Sequence, residues 1–529
     1  GRFVQRFFSQ PLYVLNNLID GHFALLAYDA HAKQFYAATD MNASVPIFYN
    51  TSADGFALSS HELALAKFLR NSIDPVGFSE VITHGAPWMN RSRFSGINRL
   101  QPAELLTIRR NMSVTRRAYW SAQEEKPWTG DLDHVLDQWQ PLLADSVQRF
   151  WRSSRTKQTS SCDLTAGESS RLVVAQCHAL GLPLQTHVVG FNADTDTRLA
   201  KAAARVAGVP LQHIEYDEIT REQMRLDAPA FALHADGYGS FFLNSLFYAT
   251  AKKHPPRDAS RLHYCGAQGH LFRGKFYWQA GIFAPERQHR ISGHEWTRAH
   301  LAYRAKELMA VPDDMLRDHA YTSVDAVLDQ VSDFPAGTQL DHLTRMFEDT
   351  LWGLERRHPF CAPFATRPMI QSIYNLPPRF KNAGRLTRAA TERLFPQLAG
   401  ALTQAGSPTL RRTAWRSPLF VPEIYGHARK TANDLVGRWF KVGPVGFALA
   451  ARQRREYQRQ TMIWLLNASP YQKWFRSVHT LITGEQYNPE GLRRLLDRAR
   501  NGDGRYANIV GRVINQEFSV RYVNGVTGV

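Results

Sequence analysis

The sequence predicts an α/β protein in which a small α+β sandwich precedes a parallel-sheet domain with a helical C-terminal region. Three observations support this prediction. Up to about residue 120, short apolar and aromatic runs are separated by turns, and from there to about residue 266 strands alternate with helices of ordinary length. From residue 296 onward the pattern is helical and rich in arginine. The 529 residues allow two to four domains of about 150 residues each.

The N-terminal unit is predicted from strands, turns and two helices. The expected strands cover 19–28, 34–38, 46–49, 56–59, 104–109 and 113–120, and the expected helices cover 61–69 and 75–83. A polar, charged stretch at 121–133 is typical of a linker. We therefore expect domains at 1–120 and 134–529, joined by 121–133.

The second unit begins with a long helix at 132–151. Strands are then expected at 159–164, 183–191, 210–216 and 262–266, and helices at 169–180 and 196–207. This alternation predicts a parallel sheet with helices on both faces. The strand at 159–163 is unusual because it is polar, whereas a strand buried on both faces is apolar. The last strong helices are expected at 489–500 and 506–518.

Composition narrows the class of partner. The formal net charge is +17 and the pI is near 9.8, which favours anionic ligands such as nucleotides and pyrophosphate. A nucleic-acid partner rests on this charge alone and is the weakest alternative, because arginine clusters are more often solvated helix faces. Four scattered cysteines and the absence of a secretory signal or a bilayer-length apolar run predict a cytoplasmic protein without membrane partners.

Three glycine-containing segments lie at the carboxyl ends of predicted strands, where ligands bind to parallel sheets. They are Thr165-Ala-Gly-Glu-Ser-Ser170, His187-Val-Val-Gly190-Phe and Tyr264-Cys-Gly-Ala-Gln-Gly269-His. The first could hold an anion with its backbone amides and the following helix N-terminus. Alternatively, it is a tight turn that a serine caps. The residues predicted to bind nucleotide or pyrophosphate are Thr165, Ala166, Gly167, Ser169, Ser170, Val188, Gly190, Gly266, Gln268 and Gly269.

These segments, taken with others, resemble the asparagine synthetase family over about residues 18–520. Residues 19–29, 40–49, 96–102 and 119–120 resemble late parts of its class II glutaminase domain. The loop 165–170 stands where the family has S-G-G-x-D-S, and 362–381 resembles its P-F-L-D and L-P-P-x-x-K segment. Branches with this architecture include lasso-peptide cyclases and β-lactam synthetases.

The resemblance implies a hydrolase-like sandwich followed by an adenine-nucleotide α-hydrolase-like synthetase domain. It also implies a ligase that adenylates a carboxylate with ATP and Mg²⁺ and then joins it to ammonia or a substrate amine. The substrate would be a small-molecule or peptide carboxylate, and a partner protein is possible. The family's N-terminal nucleophilic cysteine is not in view, and we expect that the sequence starts inside the glutaminase domain.

Several positions depart from the family pattern. Ser169 stands in place of a metal-binding aspartate, and Glu168, one residue earlier, is the candidate catalytic and metal-binding carboxylate. If it holds no metal, Glu168 should face solvent. The third strand end lacks an aspartate, and Thr366 replaces the aspartate of P-F-L-D. The catalytic lysine is expected within 404–429. The only lysine or arginine residues there are arginines, and Arg411 and Arg412 are the catalytic candidates. A catalytically degenerate homologue that binds a partner is therefore the alternative to the ligase.

Overall fold

The computed structural model describes most of the chain and has the predicted α/β fold. The described residues are 2–53, 55–122, 125–153, 159–192, 194–215, 221–239, 241, 262–273, 308–355, 361–381, 384–401, 459–467 and 471–526. Antiparallel sheets lie near the N-terminus, a parallel sheet follows, and the C-terminal part is helical. None of the described helices is long and apolar enough to span a membrane.

Two antiparallel sheets form the N-terminal sandwich. One has the strand order β1–β2–β6–β7 and the other the order β4–β3–β5. The strands are β1 (Ala24–Asp29), β2 (Gln34–Thr39), β3 (Phe48–Thr51), β4 (Phe56–Ser59), β5 (Asn98–Arg99), β6 (Glu104–Arg109) and β7 (Val114–Ala118). Ala37, Tyr49 and Leu106 meet in one buried cluster between the sheets. Burial of this apolar surface stabilises the sandwich.

Four of the described helices belong to the N-terminal unit. Two short helices precede it, α1 (Arg2–Ser9) and α2 (Pro11–Asn17), for which the sequence analysis made no prediction. Helices α3 (Glu62–Leu69) and α4 (Pro75–His84) follow β4. Asp74 caps α4 by accepting a hydrogen bond from the Gly77 N–H at 2.6 Å.

A four-stranded parallel sheet with the order β10–β9–β8–β11 carries the candidate site. Its elements in chain order are α5 (Leu132–Ser153), β8 (Ser160–Asp163), α6 (Glu168–Ala179), β9 (Leu184–Gly190), α7 (Thr195–Ala207), β10 (Leu211–Glu215), α8 (Arg221–His234) and β11 (His263–Tyr264). Each of these except α8 lies within a few residues of its predicted range, and for α8 the sequence analysis made no prediction. The sequence analysis expected helices on both faces of this sheet.

The polar strand β8 is explained by a difference between the two sheet faces. Ser160 and Cys162 are buried, and Cys162 belongs to the main apolar cluster. Ser161 and Asp163 point to the opposite face, where they are only partly buried. The strand therefore alternates between a core face and a polar face, as a half-exposed strand does.

The C-terminal part consists mainly of helices. The described ones are Asp313–Leu328, Ala336–Glu355, Arg367–Asn375, Pro378–Lys381, Arg385–Leu394, Pro396–Ala399, Pro489–Arg500, Ala507–Val523 and a helix over 459–467. The predicted helix at 489–500 is correct at both ends, and the one at 506–518 extends to Val523.

Buried polar contacts join the N-terminal unit to this helical part. The guanidinium of Arg93 pairs with Glu62 at 2.9 Å and donates to Gln516 Oε1 at 2.9 Å. The Arg367 N–H donates to Asp20 at 2.8 Å, and Asn42 Nδ2 donates to the Ala365 carbonyl at 2.8 Å. The domain boundary at 121–133 stays a prediction, because these contacts do not test it.

Candidate functional site

The loop predicted to hold phosphate lies between β8 and α6, as the sequence analysis expected. Helix α6 begins at Glu168, and its N-cap residue is Gly167 in an extended conformation (φ −74°, ψ 150°). No side chain caps the helix at this position. The partial positive charge of the helix N-terminus is thus available beside the loop.

The loop amides, however, already have partners within the chain. The Ala166 N–H donates to Asp196 Oδ1 at 2.7 Å, and the Gly167 N–H donates to Thr165 Oγ1 at 3.0 Å. The Thr165 N–H donates to Ser170 Oγ at 3.2 Å. Asp196 lies in the first turn of α7. A carboxylate of the chain therefore occupies one donor that a phosphate oxygen would need.

The third predicted strand end contacts this loop directly. A Cβ at Gly266 would lie 2.6 Å from the Ser170 nitrogen, and one at Gly269 would lie 2.5 Å from Ser169 Cβ. Only glycine allows this approach of two backbones. The turn between Gly266 and Gly269 includes Gln268 at a positive φ of 62°. The structure thus brings the first and third predicted segments together.

The second predicted segment is packed tightly rather than open. The Val188 side chain is buried, so only its backbone could contact a ligand. A Cβ at Gly190 would lie 2.7 Å from Thr197 Oγ1 and 3.1 Å from Asp194 Oδ2. A glycine is needed at position 190 because the first turn of α7 and the residue before it lie so close to the strand end. The Gly190 carbonyl accepts a hydrogen bond from His213 Nε2 at 3.0 Å when that nitrogen carries the proton.

Glu168 does not face solvent, so that expectation is wrong. Its side chain is buried, and Oε1 accepts a hydrogen bond from Arg388 Nη2 at 2.8 Å. Arg388 belongs to the helix Arg385–Leu394, which packs on α6. The sequence analysis did not identify this arginine, because it lies 220 residues away in sequence and has no motif around it.

A second buried arginine lies on α6 itself. The Arg171 guanidinium donates from Nε to the Thr165 carbonyl at 3.2 Å and from Nη1 to the Ala401 carbonyl at 3.1 Å. Burial lowers the pKa of Arg171 to about 10, although Glu168 and Asp196 act in the opposite direction. Arg171 remains a cation at neutral pH and adds positive charge behind the loop.

Four buried polar atoms of these segments have no hydrogen-bond partner within the described part of the chain. They are Glu168 Oε2, Ser169 Oγ, Arg171 Nη2 and Gln268 Oε1. Most buried polar atoms in folded proteins are satisfied, so a cluster of unsatisfied ones is typical of a site that holds water or a polar ligand. The helix N-terminus, the Arg171 guanidinium and the Ser169 hydroxyl can donate to an anion at this site, whereas Glu168 Oε2 and Gln268 Oε1 can only accept hydrogen bonds.

The donor set here does not fit Mg²⁺. This ion is held through carboxylate oxygens, and the loop and turn offer only Glu168, which is paired with a guanidinium. Thr366, at the position of another family aspartate, is buried, and its hydroxyl lies 2.6 Å from that of Ser146 on α5. Arg411 and Arg412 lie outside the described residues.

A cluster that the sequence analysis missed lies on the polar face of the sheet. Asp163 Oδ1 lies 3.0 Å from His187 Nε2, and Asp163 Oδ2 lies 3.6 Å from His263 Nε2. Burial acts to raise the pKa of Asp163, but hydrogen bonds from the two histidines outweigh it and hold the pKa well below its usual range. The three residues come from three strands, so no local spacing indicates them.

Comparison with known proteins supports the class of the N-terminal part. Residues 13–120 match the family model of the glutamine amidotransferase domain. These residues are thus similar to a glutamine amidotransferase domain, and the match supports the asparagine synthetase-type family that the sequence motifs indicated. It does not distinguish between the branches of the family. A search of curated proteins finds no match.

Proposed function

We propose that this protein is an amide-forming ligase of the asparagine synthetase type. In this proposal ATP adenylates a carboxylate, pyrophosphate leaves, and ammonia or a substrate amine attacks the acyl-adenylate. The observation that carries the proposal is the set of unsatisfied buried atoms where loop 165–170 meets turn 266–269. An unsatisfied buried polar group costs about 1–3 kcal/mol, so several together support a bound polar ligand.

The charges around the contact between loop 165–170 and turn 266–269 support a nucleotide or pyrophosphate as the ligand. Arg171 and the N-terminus of α6 supply positive charge on one side of the loop. Because loop 165–170 and turn 266–269 offer no carboxylate other than the paired Glu168, any Mg²⁺ at this site would have to arrive on the nucleotide itself. A glutamine amidotransferase domain in the same chain fits a nitrogen-transferring enzyme.

A second candidate function is a catalytically degenerate homologue that binds a partner protein or an anionic ligand. The hydrogen bond that the Asp196 carboxylate accepts from the Ala166 N–H favours this candidate, because it places negative charge where a phosphate would bind. The pairing of Glu168 with Arg388 favours it as well, since it removes the remaining candidate metal ligand.

Exchange of labelled pyrophosphate into ATP tests the two candidates. The ligase should support exchange with a dedicated small-molecule or peptide carboxylate, and only slow exchange with free aspartate. Gly167→Val should abolish it, because a branched side chain blocks approach of phosphate to the backbone. Gly55→Val is the matched control, since a Cβ at Gly55 meets nothing within 4 Å.

If no substrate for the exchange assay is found, measurements of nucleotide binding distinguish the two candidate functions. Calorimetry with ATP, AMP and pyrophosphate should give heat in the native protein and in Gly55→Val, and none in Gly167→Val. If no ligand gives heat at millimolar concentration, the nucleotide site does not exist and the degenerate homologue is the better account. Brisk exchange with free aspartate would contradict the argument from the missing carboxylates.

A further inference from the structure

Asp163, His187 and His263 meet on the polar face of the parallel sheet. They lie on the neighbouring strands β8, β9 and β11, and each offers one donor atom within 4.8 Å of the other two. In the strand register, Asp163 lies opposite His187, and His263 lies opposite Ser161. Three hydrogen-bonded strands therefore hold the donors in place, independently of the loop discussed above.

We propose that Asp163, His187 and His263 form a binding site for a divalent transition metal ion, with Zn²⁺ as the best match to the donors. Two imidazoles and one carboxylate bind Zn²⁺ and related ions, whereas Mg²⁺ and Ca²⁺ prefer oxygen alone. Bonds of about 2.0–2.2 Å to a tetrahedral ion place its ligands about 3.4 Å apart. The distances are 3.0 Å from Asp163 Oδ1 to His187 Nε2 and 3.6 Å from Asp163 Oδ2 to His263 Nε2, which are close to that spacing. Small side-chain rotations would bring the three donor atoms, which lie within 4.8 Å of one another, onto one ion.

The surroundings of His263 support the same site. His263 Nδ1 lies 2.9 Å from the Ser161 hydroxyl, which leaves Nε2 directed at Asp163. Histidine ligands usually donate their second ring nitrogen to such a partner, which fixes the tautomer and the ring orientation. Ser161 lies on β8, and its N–H donates to the Leu262 carbonyl at 2.9 Å, just before β11. This hydrogen bond fixes the position of Ser161 relative to His263.

The site has room for a further ligand. The side chains of Asp163, His187 and His263 are 28%, 18% and 29% exposed, so one side of the cluster is open to solvent. Three protein ligands with an open fourth position are typical of zinc sites that bind water or a substrate group. We therefore expect one water or one small anion to complete the coordination of the ion.

The cluster could instead be a carboxylate that accepts hydrogen bonds from two imidazoles without any metal. The two cases differ in the Nε2 protons, which a metal ion displaces. A neutral imidazole keeps its single proton by moving it to Nδ1, so binding of Zn²⁺ to the full chain should appear as heat that saturates at one ion per cluster. In the hydrogen-bonded case no stoichiometric binding occurs.

Calorimetry with Zn²⁺ and visible spectroscopy with Co²⁺ test the proposal on the whole protein. The native chain should bind one Zn²⁺ per cluster, and Co²⁺ should give the absorption of a tetrahedral complex. His187→Gln and His263→Gln should each weaken binding at least 100-fold, and Ser161→Ala should weaken it about 10- to 100-fold. Circular dichroism checks that the variants fold.

His213→Gln is the matched control, because His213 lies on the adjacent strand β10 and its imidazole contacts the Gly190 carbonyl rather than Asp163. Its metal affinity should equal that of the native chain. Stoichiometric binding that survives in both His187→Gln and His263→Gln would overturn the proposal, as would the absence of any Zn²⁺ or Co²⁺ binding. Neither result depends on nucleotide binding, so the ligase proposal stands or falls separately.

Discussion

The carboxylate of Asp196 accepts a hydrogen bond from the Ala166 N–H at 2.7 Å and so ties the start of α7 to the loop that precedes α6. Both residues lie at the carboxyl end of the parallel sheet, where an anionic ligand would bind. The contact holds the loop in shape, but it also places a negative charge beside it.

The first prediction concerns this charge. Asp196→Asn keeps an oxygen that can accept from Ala166 and removes the negative charge, so the affinity for pyrophosphate should rise about tenfold. Calorimetry with pyrophosphate measures the change. The control is Asp194→Asn, since Asp194 accepts instead from the Phe191 N–H at 3.2 Å. Weaker binding in Asp196→Asn would mean that the carboxylate is needed to shape the loop for its ligand.

The second prediction concerns the buried pair of Glu168 and Arg388. Arg388→Met leaves a carboxylate buried without its partner and should cost about 3 kcal/mol of stability. The double variant Glu168→Gln with Arg388→Met should recover part of this loss, because the unpaired charge is gone. Shifts of the urea unfolding midpoint measure both effects.

Arg393→Met provides the control for that pair. Arg393 lies on the same helix as Arg388, but its partner Asp137 is largely exposed, so its loss should change stability by less than about 1 kcal/mol. Equal shifts for Arg388→Met and Arg393→Met would contradict the assignment of Glu168 to a buried ion pair. In the pyrophosphate exchange assay, a rate unchanged by Glu168→Gln would show that this carboxylate takes no part in catalysis.

The third prediction concerns the contact between loop and turn. Gly266→Ala places a Cβ 2.6 Å from the Ser170 nitrogen, which is backbone and cannot move aside cheaply. We expect a loss of about 2 kcal/mol in stability and weaker nucleotide binding. Gly504→Ala is a suitable control, because a Cβ there meets nothing within 4 Å. An unchanged unfolding midpoint in Gly266→Ala would refute the close approach.

The order and type of the regular elements could be predicted from the sequence. Strand β6 was predicted with correct ends, and α5, α6 and β9 were predicted to within two residues, because hydrophobic periodicity and turn residues are local signals. The convergence of loop 165–170 with turn 266–269 was also predictable, since the carboxyl ends of parallel strands meet at one edge.

The partners of the site residues could not be predicted in the same way. Arg388 reaches Glu168 across 220 residues, and Asp163 meets His263 only because β11 pairs with β8. Such contacts depend on strand order and helix packing, which a single sequence does not reveal. The polarity of β8 was visible in the sequence, but only the structure shows the alternation of buried and partly buried residues that explains it.

The last prediction is a pH dependence that arises from Glu80 on α4. The Glu80 side chain is almost fully buried, and it accepts a hydrogen bond from the Trp88 N–H at 3.0 Å and lies 3.3 Å from the Arg91 guanidinium. Burial raises its pKa from the ordinary 4.5 to about 7, although Arg91 and the Trp88 N–H act to lower it. In the folded protein Glu80 therefore keeps its proton to higher pH than in the unfolded chain.

The sign of the effect follows from this difference. Below pH 4.5 the carboxyl is protonated in both states, and its contribution to stability is fully present. Between pH 4.5 and about 7 the unfolded chain releases the proton while the folded protein retains it, so stability falls as pH rises. The total loss corresponds to about 3 kcal/mol.

Comparison of the native protein with Glu80→Gln isolates this contribution. Glutamine does not titrate and keeps an acceptor for the Trp88 N–H, so the variant should gain about 3 kcal/mol relative to the native protein between pH 4.5 and pH 7. His84, whose pKa burial lowers to about 4, titrates in the opposite sense, but it is present in both proteins and cancels in the difference. Urea unfolding midpoints at pH 4.5, 5.5, 6.5 and 7.5 measure the two curves, and parallel curves would show that Glu80 is ionised in the folded protein throughout this range.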